Sequence, residues 1–150
     1  MYENIKIIIV LLLIFNNNLV LGQEVVVVKN SGLGDISIRV RESGFGDFSV
    51  GFKDSGFGDF SVGITSIKSQ ANCVIEHSGF GDRSVVIKDS GFGDIDIRIK
   101  EGGFADVTIV RRDDSFADYL IYSAKDQVTN SEIIAALIDE IKKKANYKNL

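Results

Sequence analysis

Seven aspartates at one fixed position of a repeated turn are the residues of this chain best placed to do chemistry. Each follows a short stretch that reads approximately Ser-Gly-Phe-Gly. A carboxylate at this position can accept backbone N–H groups and hold the turn, which is the role we expect. As a row of oxygen ligands they would instead bind calcium, which is the alternative. The seven candidates are Asp35, Asp47, Asp59, Asp82, Asp94, Asp106 and Asp118.

Cys73 and His77 are the only cysteine and the only histidine of the chain. A Cys–His pair can form a nucleophile, but no third group that would orient the histidine is identifiable. One Cys and one His are too few for a zinc site, and no Lys-Ser/Thr pair completes a phosphate loop at the turns. We therefore expect no enzyme, no catalytic residue and no cofactor, and we expect Cys73 to be a buried thiol.

A twelve-residue unit, repeated seven times, carries these residues. Its consensus is S-G-F-G-D-x-S-V-x-I-K-D, and such a repeat predicts an array of one small motif. Positions are numbered below from the first residue of each copy. The copies begin at Ser31, Ser43, Ser55, Ser78, Ser90, Gly102 and Asp114.

Each unit predicts one strand and one turn. Positions six, eight and ten are mostly apolar, whereas positions seven, nine and eleven are mostly polar or small. This alternation is typical of a strand with one buried face, and residues 25–29 predict a similar strand ahead of the first copy. Glycines at positions two and four indicate positive φ or close backbone approach in the turn.

The side chain between the two turn glycines is always large and apolar. Seven such side chains on exposed turns would form an aggregation surface, so we expect them to point into a shared core. Each would then contribute about 1.5–3 kcal/mol by burial. They are Leu33, Phe45, Phe57, Phe80, Phe92, Phe104 and Phe116.

The repeat leaves three arrangements open: an antiparallel meander or barrel, a β-solenoid, or an interleaved path in which successive strands are not neighbours. Charge argues against simple in-register coiling, because stacked carboxylates about 4.8 Å apart repel. Antiparallel or interleaved neighbours could instead set Lys53, Lys88 or Lys100 across from acidic partners. The period is interrupted by residues 67–77, which are either a decayed copy, with Asn72 in place of aspartate, or a longer crossing loop.

Residues 129–144 predict one C-terminal helix. Thr129 and Glu132 form a capping-box signature, and an apolar stripe follows at helical spacing. We expect this helix to pack over an open edge or end of the β core, and contact with a membrane surface or a partner is the alternative. The stripe comprises Ile133, Ile134, Leu137, Ile138 and Ile141.

The first 22 residues predict a secretory signal peptide, because Lys6 is followed by an apolar run and a small-residue cleavage point. The sequence thus predicts three segments: the signal peptide 1–22, a seven-copy β-repeat domain 23–124 and a C-terminal amphipathic helix 125–150. The net charge of −4 is spread along the chain, which is not typical of nucleic-acid binding. We expect no stable membrane span after signal removal, and a secreted, periplasmic or cell-surface location.

The last two copies resemble the repeats of the septoil-knot family of small bacterial proteins. Residues 103–106 read Gly-Phe-Ala-Asp and residues 114–118 read Asp-Ser-Phe-Ala-Asp, each followed by an alternating strand. The resemblance covers residues 25–122 and implies a β fold whose chain winds into a seven-crossing torus knot. The first five copies depart from it by having glycine where the last two have alanine. No activity or site residue follows from the resemblance.

These observations predict an all-β repeat domain of twelve-residue strand–turn units with one C-terminal α-helix, with knotted and interleaved paths both open. We expect a secreted structural or binding module without catalytic activity, whose partner would be a protein or a glycan. The alternative is a calcium-dependent adhesin or carbohydrate-binding domain that uses the turn aspartates.

Overall fold

A computed structural model describes residues 22–113 and 116–148, with side chains to residue 146. The predicted signal peptide, apart from Gly22, lies outside the described residues, as do Asp114 and Ser115 at the start of the seventh copy. The described residues form nine strands, a short 3-10 helix at Lys68–Gln70 and a C-terminal pair of α-helices.

The strands occupy the alternating stretches that the sequence predicts. Positions six and eight of the copies are mostly buried in one core cluster, and several position-ten side chains pack against it. The predicted inward face is therefore buried, with Ile64, at position ten of its copy, left half-exposed. The outward face is not uniformly exposed, since Val27, Val74, Val86 and Val110 on it are also buried. The strands are β1 Glu24–Lys29, β2 Ile36–Arg41, β3 Phe48–Lys53, β4 Phe60–Thr65, β5 Cys73–Glu76, β6 Arg83–Lys88, β7 Ile95–Lys100, β8 Val107–Arg112 and β9 Tyr119–Ser123.

All nine strands are parallel to their neighbours and close into one barrel, in the order β1-β5-β9-β4-β8-β3-β7-β2-β6. Each strand lies two places round the barrel from the strand before it in the chain. The chain therefore makes almost two circuits, and the strands of the second circuit lie between those of the first. Of the three arrangements left open by the sequence, the interleaved one is observed.

Neighbouring strands are strongly staggered along their length. This stagger lets short turns join consecutive parallel strands, which normally require a crossover of a dozen or more residues. The first residue of β6, Arg83, pairs with the third residue of β1, Val26. The same two-residue offset is found at all the remaining interfaces but one, that between β1 and β5, where the first residues of the two strands pair. From the usual strand dimensions this stagger corresponds to a tilt of about 50° from the barrel axis, steeper than the usual 35–45°. The chain therefore travels round the barrel instead of returning along it.

The C-terminal segment forms two helices, α1 Asn130–Ala136 and α2 Ile138–Lys148, instead of the one that was predicted. The predicted capping box is present, since Thr129 and Glu132 bond reciprocally. Leu137 interrupts the helix with φ −111° and ψ 20°. The predicted apolar stripe is buried and belongs to the same cluster as the barrel interior.

Helix α1 runs through the barrel. Every residue from Ile133 to Ile138 is buried, which places protein on all sides of this segment. Asn130 contacts Arg111, near the carboxyl end of β8. The carbonyl of Ala136 accepts a 2.8 Å hydrogen bond from Arg83, the first residue of β6. The helix therefore spans from one mouth to the other, whereas we had expected it to pack over an open edge or end of the β core.

The expectation that the large apolar side chains of the turns point inward is wrong. Leu33 and the six turn phenylalanines are 86–103% exposed. Each turn passes outside the one strand that lies between the two strands it joins, so its middle residue points away from the barrel. The interior is filled by strand side chains and by α1, and offers these residues no place.

The two turn glycines have different functions. Gly56, at position two, has φ +88°. Gly46, at position four, lies so close to β7 that a Cβ on it would be 2.9 Å from the Asp96 carbonyl oxygen. In the sixth copy position four is Ala105, and its methyl faces Gly51, where a Cβ would be 3.1 Å away. The alanine that departs from the earlier copies is therefore matched by a glycine on the crossed strand.

We expect Gly46→Ala to destabilise the protein by about 1–3 kcal/mol, because the new methyl meets backbone atoms that cannot move aside. Urea unfolding followed by circular dichroism measures the change. The matched control is the swap Gly51→Ala with Ala105→Gly, which moves one methyl from turn to strand and should cost about 1 kcal/mol or less. Equal losses in both variants would show that close approach at position four is not the cause.

Candidate functional site

The seven turn aspartates hold each turn against the strand that it crosses. The carboxylate at position five accepts the backbone N–H of position seven on the crossed strand, with N–O distances of 2.6–2.8 Å. We call each such pair a turn anchor. The pairs are Asp35–Ser84, Asp47–Asp96, Asp59–Thr108, Asp82–Val25, Asp94–Ser37, Asp106–Ser49 and Asp118–Ser61.

The predicted role of these carboxylates, acceptance of backbone N–H groups, is confirmed. The donors lie 49 or 57 residues away in the sequence, on another copy or, for Val25, on the strand ahead of the first copy. In five anchors the aspartate N–H also donates to the position-seven carbonyl, as from Asp94 to Ser37 at 2.8 Å. Each anchor of this kind thus satisfies backbone groups on both the turn and the strand.

Serine at position seven closes the anchor further. The Ser37 hydroxyl donates to the Asp94 carboxylate at 2.7 Å and accepts the Asp94 N–H at 3.0 Å. Ser49, Ser61 and Ser84 make the same two bonds to their own aspartates. The recurrent outer-face serines, a signal that the sequence displays but that we did not connect with the aspartates, are therefore part of the anchors.

The irregular segment 67–77 contains an eighth anchor. Asn72 Oδ1 accepts the N–H of Leu120 at 2.7 Å, and the Asn72 N–H donates to the Leu120 carbonyl at 3.0 Å. Cys73–Glu76 then follows as β5. The segment is therefore a decayed copy, one of the two interpretations that the sequence allowed, and an amide can replace the carboxylate in an anchor.

Hydrogen bonding lowers the pKa of three anchor carboxylates, those of Asp35, Asp94 and Asp118. The hydroxyl and the N–H of Ser37 lower the pKa of Asp94, and the backbone of Ser61 followed by its hydroxyl does the same for Asp118. The backbone and hydroxyl of Ser84 lower the pKa of Asp35.

Within the described ranges no three His, Cys, Asp or Glu side chains are grouped to hold a metal ion.

The main charge pairing on the barrel wall is between Asp96 and two arginines. Arg39 pairs with Asp96 across β2 and β7, and Arg41 lies 2.7 Å from the same carboxylate. The hydrogen bond from Arg39 is the main cause that lowers the pKa of Asp96 to about 2. None of the three lysines that could have faced acids does so: the strand partners of Lys53, Lys88 and Lys100 are Val110, Arg39 and Gly51. Lys88 and Lys100 instead donate to the carbonyls of Phe92 and Phe104.

Cys73 and His77 make separate contacts. Cys73 is buried as predicted, and burial raises the pKa of its thiol to about 12. His77 Nε2 lies 2.8 Å from Oε1 of Glu132, at the start of α1. Burial alone would raise the pKa of Glu132, but hydrogen bonds from Thr129, His77 and Lys125 lower it to about 2. This cluster ties the entry of α1 to the end of β5.

The exposed apolar side chains form a belt around the barrel. Because each turn crosses one strand, the anchors fix the order of the turns along the circumference. The turn of the decayed copy, which crosses β9, differs in sequence from the other turns. We call the seven side chains the tip belt. In order round the barrel they are Phe80 over β1, Leu33 over β6, Phe92 over β2, Phe45 over β7, Phe104 over β3, Phe57 over β8 and Phe116 over β4.

Comparison with known protein families, with curated proteins and with solved structures finds no match to this chain. Among the described residues, no helix has the length and apolar character needed to cross a membrane.

We expect Asp118→Ala to lower the free energy of unfolding by about 1–3 kcal/mol, because the part-buried N–H of Ser61 loses its acceptor. Asp118→Asn should cost less, since Asn72 makes the equivalent bond in the decayed copy. Asp89→Asn, an acidic position outside the anchors, is the control. Denaturant unfolding of the three variants measures the differences, and an Asp118→Ala value equal to the control would contradict the role of the anchor.

Stability should fall in acid. The pKa values of Asp35, Asp94 and Asp118 are lowered by folding, so their contribution is complete above the unfolded value of about 3.9 and is lost as pH falls through the folded values. Thermal melting between about pH 7 and pH 2 tests this. The double variant Asp94→Asn, Asp118→Asn should show a shallower decline below about pH 4, because its amides do not titrate. A decline as steep as that of the wild type would assign the acid sensitivity to other groups.

Proposed function

We propose that the protein is a structural or binding module without catalytic activity, and that the tip belt is its contact surface. The supporting observation is the exposure of seven large apolar side chains, all on turns that are anchored to a closed barrel. Soluble monomers rarely expose apolar patches larger than roughly a few hundred Å², and larger ones mark interaction sites. The belt is also the feature of the barrel that the fold itself does not use.

The polar groups that could do chemistry are engaged elsewhere. The turn aspartates bind backbone N–H groups, His77 pairs with Glu132, and the Cys73 thiol has a raised pKa in the core. A nucleophile needs a lowered pKa or an adjacent base. These assignments support a module that acts by contact.

The alternative, a calcium-dependent adhesin or carbohydrate-binding domain, would require the aspartates to leave their anchors for the ion. We therefore expect millimolar calcium to leave the melting temperature unchanged. A clear rise with calcium, absent with magnesium, would favour the alternative.

We also propose that the protein is secreted after removal of residues 1–22. Cleavage there leaves every strand intact, because β1 begins at Glu24. Mass spectrometry of the exported chain tests this, with a mature end near Gln23 expected and an uncleaved chain in the cytosol as the contrary result.

Membership of the septoil-knot family and a knotted path are further proposals. They are supported by the two interleaved circuits, whose turns each cross one strand of the other circuit, and by the helix that passes through the barrel. Bulky domains fused to both termini should slow refolding from urea strongly, since a terminus must pass through a loop of chain. An unchanged rate would contradict the threaded path.

The contact function is tested by a variant in which all seven tip residues are serine. The purified chain and this variant are compared for sedimentation with phosphatidylcholine–phosphatidylglycerol vesicles, for retention on insoluble cellulose and chitin, and for self-association. We expect the wild type to bind in at least one assay and the variant to lose that binding. The melting temperature should stay nearly constant, because the tips make no core contact. Binding that survives in the variant, or its absence throughout in the wild type, would contradict the proposal.

A further inference from the structure

We infer that the occupant of the tip belt is a second copy of this chain, so that barrels assemble side by side through their turn tips. The inference rests on the proposed contact function and names its partner. Three properties of the belt support it: its circular course, its side-chain chemistry and the arrangement of charge beside it.

The belt has the course of a lateral contact surface. Its members lie over seven of the nine strands, so apolar side chains point outward on almost every side of the barrel. A flat surface such as a bilayer could meet only an arc of neighbouring tips. Several copies arranged around one barrel could cover the whole belt. Contacts repeated round a circumference also need not close, so they can extend into an open array.

The side chains of the belt are purely apolar. It contains six phenylalanines and one leucine, and none of the chain's four tyrosines stands at a tip position of the sequence. Side chains that sit at a membrane–water boundary are typically Trp and Tyr, which have a polar end. Leu33 has no ring to stack on a sugar, yet it occupies an equivalent place. What the seven share is apolar surface, which suits a dry contact with the same surface of another copy.

The charged residues beside the belt include both signs, so that two copies of the belt can be complementary in charge. Ahead of five tips the sequence places a cation followed directly by an anion: Arg41-Glu42, Lys53-Asp54, Lys88-Asp89, Lys100-Glu101 and Arg112-Asp113. The Lys88 ammonium is held over its own turn by the Phe92 carbonyl at 2.8 Å. The guanidinium of Arg39 lies 5.6 Å from the centre of the Phe92 ring. Two such belts facing each other can pair apolar tip with apolar tip and cation with anion.

Sedimentation velocity of the purified chain, from about 1 μM to about 1 mM, tests the inference. We expect the mean mass of the wild type to rise with concentration and the seven-serine variant to remain monomeric. A variant with serine at the adjacent tips Phe45, Phe92 and Phe104 should associate about tenfold more weakly or worse. The matched control replaces Ile64 and Ile67, which are half-exposed apolar residues outside the belt, by serine. It should associate like the wild type, and circular dichroism verifies that each variant is folded.

A wild type that stays monomeric throughout, or a seven-serine variant that associates as the wild type does, overturns the inference. If the monomeric wild type binds vesicles or polysaccharide and the seven-serine variant does not, a second copy is the wrong occupant while the contact function stands. If the wild type neither associates nor binds any probe, both fail.

Discussion

The hydrogen bond between a turn aspartate and the strand beneath it is the interaction on which this architecture depends. A turn that has crossed a strand comes down beside it, where backbone N–H and C=O groups of both segments lie just ahead of the first strand pair, as Ser37 and Asp94 lie ahead of Ile38 and Ile95. Buried backbone groups without partners are costly. The carboxylate of Asp94 accepts the N–H of Ser37, and the N–H of Asp94 donates to the carbonyl of Ser37. This exchange lets a turn lie on a strand without a second sheet.

The anchors also determine how local and distant contacts are divided. Paired strands are separated by 48 to 57 residues, and no two consecutive strands are neighbours. Few of the stabilising contacts can form until about a third of the chain is in place. Proteins dominated by distant pairings fold slowly, because loop closure must precede the contacts that offset it. The steep stagger of the strands allows each turn to be short. Because consecutive strands are not neighbours, however, no hairpin can form first.

The sequence predicted what depends on a single copy and missed what depends on two. Alternating polarity predicted the strands, Thr129 and Glu132 predicted the helix start, and Asn72 left a decayed copy as one of two interpretations. The parallel, interleaved pairing could not be predicted, because a period of two does not specify which strand lies alongside. The inward placement of Phe45 and its equivalents was wrong for a related reason. It assumed an interior that needed filling, whereas the buried segment from Ile133 in α1 to Ile138 at the start of α2 already occupies it.

The residue at position four of a turn and the residue that faces it on the crossed strand constrain each other's size, although the copies have nearly the same sequence. The turn can carry alanine only where the crossed strand carries glycine, as Ala105 does over Gly51, because elsewhere the strand backbone or a Val side chain fills that space. Position three, one residue earlier, is free of such limits, and its side chains are almost fully exposed. A large apolar residue there adds nothing to the core or to the anchors. The fold therefore neither requires nor excludes an apolar side chain at position three, and the proposed contact surface rests on this independence.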